Sequence, residues 1–215
     1  MAELRDLYDI NSNKTDKTYM KGDPIPEGYY PMVVMVVIRN SKGEFLMQKR
    51  VESKGGDWGV TGGHPKSGET PMEGIITEVK EELGLDFSNE RFVEYDSGCD
   101  GKDCYKMYFV TKDIDISEIT IQEEELSEVR WFTMDELKSM VESGELNEDQ
   151  IACFNKVCKF LGRKWFLGQV SKSFLWYNYC WRWYKCQNYI LLLVLLEWAR
   201  VLFQKRLQRA FLNRF

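Results

Sequence analysis

Residues 32–38, Met-Val-Val-Met-Val-Val-Ile, are seven consecutive apolar residues, five of them β-branched. In a strand, successive side chains point to opposite faces, so a strand of this composition has to be covered on both. The run therefore commits the chain to a layered fold with a buried central strand. Asn40-Ser41-Lys42-Gly43 bounds it, and Glu44 to Arg50 alternates again, which predicts a hairpin between two strands. Residues 51–57 are charged and carry Gly55-Gly56, an exposed loop, and residues 58–61 form a short strand before the corner Gly62-Gly63. From Pro71 the apolar residues Met72, Ile75, Ile76, Val79 and Leu83 recur at helical spacing, with Pro71 suited to a first turn and Gly84 to a C-terminal stop. Residues 92–96, 105–112 and 128–132 read as further strands, and 134–143 and 148–161 as helices. Hairpins mixed with a few helices predict an α/β (α+β) sandwich on a mixed sheet.

On the Pro71 helix, Glu78, Glu81 and Glu82 fall on one side and the apolar stripe on the other. Like charges three and four residues apart repel, and a divalent hard cation taking oxygen ligands neutralises them directly. Taken alone, the three carboxylates read as a solvated helix face. The upstream spacing tips the balance: Gly63, five residues, Glu69, seven residues, then Thr77-Glu78-Val79-Lys80-Glu81-Glu82-Leu83-Gly84-Leu85.

That string resembles the Nudix box, and eight of its nine specified positions match. At average residue frequencies a match this good at a random position has odds on the order of one in ten million. The resemblance covers residues 1–162. It implies a Nudix-like α/β/α sandwich and a hydrolase that cleaves a phosphoanhydride in a nucleoside diphosphate linked to another moiety, or in a similar small molecule. By resemblance, Glu78, Glu81, Glu82 and the backbone carbonyl of Gly62 would ligate Mg²⁺ or Mn²⁺. Glu78, or a later loop glutamate among Glu123, Glu124 and Glu125, with Glu124 as the representative, would activate the attacking water. Gly63, Glu69 and Gly84 would support the motif's geometry, and Arg50 and His64 would touch substrate. A diphosphate brings negative oxygens into an acidic pocket, which only bridging cations make attractive. Thr77 is the departure, because the family pattern has Arg there to hold a carboxylate, and Thr offers neither charge nor a planar fork of donors. Lys80 or Arg50 could substitute, and a non-catalytic binding module with this fold is the alternative. The segment Gly63-His64-Pro65-Lys66-Ser67-Gly68-Glu69 is also similar to the isopentenyl-diphosphate isomerases. The cysteine those enzymes need just before it is replaced by Gly62, and His64 is this chain's single histidine. That histidine also excludes multi-histidine zinc sites.

Charge is unevenly distributed. Residues 1–163 hold 20 Lys and Arg against 33 Asp and Glu, whereas residues 164–215 hold 9 against 1. The acidic body argues against nucleic-acid binding, which uses basic footprints. The basic, aromatic-rich segment includes Ile190–Leu196, too short a run to span a bilayer, followed by an amphipathic helical pattern. It fits a membrane surface, a partner groove or packing in a homodimer, or a fused or mistranslated tail. The expected division is a hairpin lead-in at 1–28, the hydrolase domain at 29–162 and a helical extension at 163–215. The polar start of the chain lacks the features of a secretory signal, so a cytoplasmic location and six reduced cysteines are expected.

Overall fold

The structure, a computed structural model, describes residues 3–162. The chain opens with an antiparallel hairpin, β1 (Leu4–Tyr8) and β2 (Lys14–Met20), closed where the Asp9 carboxylate accepts the main-chain N–H groups of Asn11 and Asn13. The apolar run becomes β3 (Tyr30–Arg39), and β4 (Phe45–Arg50) follows. Two short strands, β5 (Trp58–Gly59) and β6 (Thr61–Gly63), lead to α1 (Pro71–Leu83). Next come β7 (Val93–Cys99), β8 (Cys104–Thr111), β9 (Leu126–Phe132), α2 (Met134–Ser143) and α3 (Glu148–Phe160). All nine strands join one mixed sheet, in which β3 and β8 are parallel and the other pairings antiparallel.

β3 is covered on both faces, as its composition requires. Met32, Val34, Val36 and Ile38 pack with Ile75, Val79 and Leu83 of α1. Val37, and the partly buried Met35, belong to the opposite core with Leu137 and Met140 of α2 and with Cys153, Phe154 and Val157 of α3. This is an α/β/α sandwich, the fold class expected. α1 begins with a full capping box between Thr70 and Glu73, has Pro71 in its first turn, and ends at Gly84 with φ +71°.

The expected hairpin of β3 and β4 differs in one respect that creates the cleft. The two strands pair only next to the turn, at Arg39 and Phe45. Beyond it they separate, because β6 takes the flank of β3 at Val34–Val36 and β5 takes the β3-facing edge of β4 at Gln48 and Lys49, β9 running along its other edge. Main-chain hydrogen-bonding groups must be satisfied once, and those partners outcompete the hairpin's own ladder. The sheet thus forks, and Val33 and Met35 of β3 face Gln48 and Arg50 of β4 across a cavity.

Two close approaches pin the loop between β6 and α1. A Cβ on Gly74 would lie 2.6 Å from Pro65 Cγ, so glycine lets the first turn of α1 sit on that loop. From the other side Asp6 accepts hydrogen bonds from Ser67 Oγ (2.8 Å) and the Gly68 N–H (2.9 Å), and the Ser67 N–H donates to the Leu4 carbonyl (2.8 Å). The N-terminal hairpin also enters the sheet and core, with Leu7 opposite Pro31 and Leu7 itself fully buried.

One cysteine expectation is corrected. Cys99 and Cys104 form a disulfide across the end of the β7–β8 hairpin, where the two residues are register partners on adjacent strands. Cys153 and Cys158 are buried in the core, and Cys180 and Cys186 lie outside the described residues, as does the expected helical extension. Among the described residues, no helix is long and apolar enough to cross a membrane.

The second core depends on Phe45, fully buried and edge-on to Phe154 with centroids 5.6 Å apart. Phe45→Ala is expected to cost about 3–5 kcal/mol of stability, measured by urea denaturation, with the urea dependence unchanged.

Candidate active site

The fork in the sheet opens a cleft of roughly 570 Å³, and Glu78, Glu81 and Glu82 of α1 all line it with Gly62, Gly63 and His64. The carboxylates do not stand alike. Glu78 lies against the turn at Gly63, where a Cβ would collide with its carboxylate, and it accepts the backbone N–H of His64. Glu82 accepts the Gly62 N–H and the Gln48 Nε2 (2.8 Å). Glu81 is more exposed and pairs with Lys66. A Cβ on Gly62 would meet the Val34 carbonyl oxygen, so that glycine keeps β6 within hydrogen-bonding reach of β3.

Burial pushes Glu78 up to about 7, reinforced by the charges of Glu82 and Glu81 and opposed by the His64 N–H. Glu82 is pushed up to about 7 as well, by burial above all, while its bond from Gln48 works the other way. Raised values in both mean that the local positive charge does not compensate the carboxylates. His64 lies in the cleft, as expected, but burial and then the neighbouring Arg5 charge lower it to about 4. It is therefore neutral at physiological pH.

Two supporting contacts hold the motif in place. Gln48, 5% exposed, accepts from the Thr61 hydroxyl through Oε1 (2.9 Å), which turns its amide N–H toward Glu82. Sequence reasoning missed Gln48, and its only signal was a polar residue at an inward position of β4. The second contact answers the Thr77 departure. Thr77 Oγ1 donates to Glu69 Oε1 (2.8 Å), and Glu69 Oε2 accepts the Lys66 N–H (2.8 Å). Thr77 thus fixes the loop glutamate itself, without help from Lys80 or Arg50. Arg50 lines the cleft, but its nearest carboxylate is Glu125, 3.9 Å away.

Glu124 is placed differently from expectation. It is exposed and absent from the cleft lining, whereas Glu125 lines the cleft and pairs with Lys54. The turn at Gln122–Leu126, closed by the N–H groups of Glu125 and Leu126 on the Gln122 carbonyl, selects one of three adjacent glutamates, which no spacing rule reveals. Arg5 and Lys21 of the N-terminal hairpin were also missed as cleft residues.

Comparison with known proteins places this geometry. The family model described as NUDIX domain matches residues 29–152. The chain belongs to the Nudix family. An uncharacterized Nudix hydrolase of Listeria innocua is 37% identical over 149 residues, which are 65% of this chain and 85% of that protein. A second, from Listeria monocytogenes, is 36% identical over 146 residues with the same coverage. NAD-capped RNA hydrolase NudC of Salmonella heidelberg is 29% identical over 133 residues, 59% of this chain and 51% of that protein. Among solved structures, DR0079 of Deinococcus radiodurans aligns with a TM-score of 0.61 at 22% identity, over 73% of this chain and 99% of that one. With Nudix hydrolases as its relatives, the chain is an enzyme of the pyrophosphohydrolase type, acting on acid anhydrides.

The donor set suits a divalent hard cation: carboxylate oxygens and main-chain carbonyls, two of the carboxylates buried without charge compensation. Among the described residues, no three acidic, cysteine or histidine side chains already converge as a metal cage. Glu81 is the member directed elsewhere, toward Lys66.

Two tests follow. For a carboxyl raised in the folded state, stability is greatest below the ordinary value of 4.5 and is lost as pH rises through about 7. In chelator, the double variant Glu78→Gln/Glu82→Gln is therefore expected to gain in Tm on the natural sequence by several degrees between pH 4.5 and 8; parallel melting curves would refute the uncompensated burial. Gly63→Ala is expected to displace only the flexible end of Glu78, holding Tm within a few degrees while kcat falls at least tenfold. Gly62→Ala confronts main chain instead and lowers Tm as well.

Proposed function

We propose that this enzyme uses Mg²⁺ or Mn²⁺ to hydrolyse a phosphoanhydride of a nucleoside diphosphate linked to another moiety, or of a closely similar small molecule. The observation that carries the reading is the seating of Glu78 and Glu82 against the Gly62–His64 main chain inside the forked cleft. Glu78, Glu81, Glu82 and the Gly62 carbonyl would hold the divalent ion. That ion supplies neutralisation of the diphosphate oxygens and of charge developing at the attacked phosphorus.

The remaining chemistry belongs to the chain's own residues. Glu78, seated against the Gly63–His64 main chain inside the cleft, is assigned as the carboxylate that takes a proton from the attacking water. Glu125 replaces Glu124 as the loop carboxylate able to orient that water, since it faces the cleft. Gln48 and Thr61 fix the direction of the Glu82 carboxylate, and Glu69 with Thr77 fixes the loop that presents Gly62 and Gly63. Neutral His64, with Arg50 at the opposite wall, is placed to contact substrate. The name of the Salmonella relative, NAD-capped RNA hydrolase, supports a nucleotide substrate of this general class.

A panel of diphosphate compounds incubated with Mg²⁺ or Mn²⁺ tests the assignment. Turnover is expected with at least one compound and with metal only. Glu81→Gln and Glu82→Gln should each lower kcat at least 100-fold with the fold retained, while Glu124→Gln should stay within about twofold. Activity persisting in Glu82→Gln, or lost in Glu124→Gln, would remove the chemistry from the α1 carboxylates as assigned.

A further inference from the structure

The geometry points to a second function for the N-terminal hairpin: Arg5 and Lys21 form a phosphate-binding wall of the cleft that receives the unesterified outer phosphate of a nucleoside polyphosphate. The inference rests on the hydrolase reading and, among the closely similar small molecules it includes, singles out those with a free terminal phosphate.

The hairpin precedes the stretch matched by the family model, residues 29–152, yet it supplies side chains to the same cleft as Glu78 and Glu82. Arg5 is on β1, its side chain only 11% exposed, with Nε donating to Glu3 Oε1 at 2.7 Å and Tyr19 as its cross-strand partner. That carboxylate and a side-chain bond to Tyr19 engage part of the guanidinium, which has five N–H donors in all. Lys21 closes the wall: its main-chain N–H donates to the Glu3 carbonyl (2.9 Å), and its Nζ, on a side chain 61% exposed, lies 3.9 Å from the same Glu3 carboxylate. One carboxylate thus faces two cations, and positive charge is left over. Lys66 contributes none of this surplus because Glu81 engages it.

The wall is also fixed in place. Asp6, 8% exposed and beside Arg5 in sequence, holds Ser67 and Gly68, and Leu4 accepts the Ser67 N–H. The hairpin is therefore tied to the loop that carries the motif, and its cations stand at a set distance from the carboxylates of α1. At the other end of the cleft Arg50 faces Glu125, and Trp58, Asn147 and Gln150 stand with the carboxylates of Asp57 and Asp149, which repel a phosphate. This polarity puts a doubly charged phosphate at the hairpin and the nucleoside at the Trp58 end. A sugar on the outer phosphate removes one charge and adds bulk where the wall stands.

The test compares ADP with ADP-ribose as substrates of the full chain in Mg²⁺, for the natural sequence, Arg5→Gln, Lys21→Gln and the double variant. The expected result is at least a tenfold fall in the ratio of kcat/KM for ADP to kcat/KM for ADP-ribose in the double variant, carried by KM. Lys21→Gln, on an exposed side chain, should give part of that fall without a change in Tm, and Lys21→Arg should restore it. A ratio that stays constant, or a loss shared equally by both substrates, would overturn the wall. Inhibition by a dicarboxylate as strong as by inorganic phosphate would overturn the phosphate assignment. If the natural sequence hydrolyses neither compound, the hydrolase reading is decided by the wider diphosphate panel, and calorimetric binding of inorganic diphosphate decides the wall: tenfold weaker binding in the double variant supports it, equal binding refutes it.

Discussion

Two carboxylates held at the fork of a sheet are the constraint around which this molecule is arranged. Burying an ionised carboxylate costs several kcal/mol unless hydrogen bonds or opposite charge compensate it. Here the compensation is partial by construction. Glu78 and Glu82 receive main-chain N–H groups from His64 and Gly62, and Glu82 one more from Gln48, yet both stay raised to about 7. The rest of the structure serves this pair. β6 must run close enough to β3 to present those N–H groups, which only glycine at position 62 permits, and α1 must approach the loop closely, which Gly74 permits. The missing compensation is what the proposed divalent ion would supply.

Much of the frame was legible because it follows from local rules with a strong period. The β-branched run could only be a doubly covered strand, and α1 showed its cap, its apolar stripe and its glycine stop in sequence. The grouping of Glu78, Glu81 and Glu82 on one side of that helix is equally a matter of helical geometry, and all three do line the cleft. What spacing could not convey is where each carboxylate finds its partner. Glu81 turns to Lys66, and Glu82 turns to a glutamine 34 residues away in sequence, a contact made only after the sheet has assembled. The same applies to the choice of Glu125 over Glu124, which depends on one turn, and to the failure of β3 and β4 to stay paired, which depends on competition from β6 and β5.

Thr77 shows how a departure from a family pattern should be weighed. The expectation that a missing arginine leaves a gap assumed that the position must supply charge. In the structure the requirement is narrower: Glu69 needs a donor on the α1 side to complement the Lys66 N–H on the loop side. A hydroxyl at 2.8 Å meets it, with a shorter side chain and no cation to bury. A neutral hydrogen bond is worth less than a charge-assisted one, on the order of 1 kcal/mol against about twice that. The motif loop carries other fastenings that share the load, in Pro65 against Gly74 and in Ser67 and Gly68 against Asp6.

Those last fastenings change how the N-terminal hairpin should be understood. A lead-in to a domain would touch the sheet edge and leave the motif alone. This one places Leu7 in the core and Asp6 on the motif loop, and its cationic side chains enter the cleft. The consequence is a division of labour along the chain. The family motif supplies an acidic wall whose geometry is set by glycines and helix caps, while a segment outside the family match supplies the basic wall opposite. The two are joined through Asp6, which holds Ser67 and Gly68 of the motif loop. In the proposed reading, specificity varies through residues 3–21 while the carboxylates assigned to the divalent ion stay where they are.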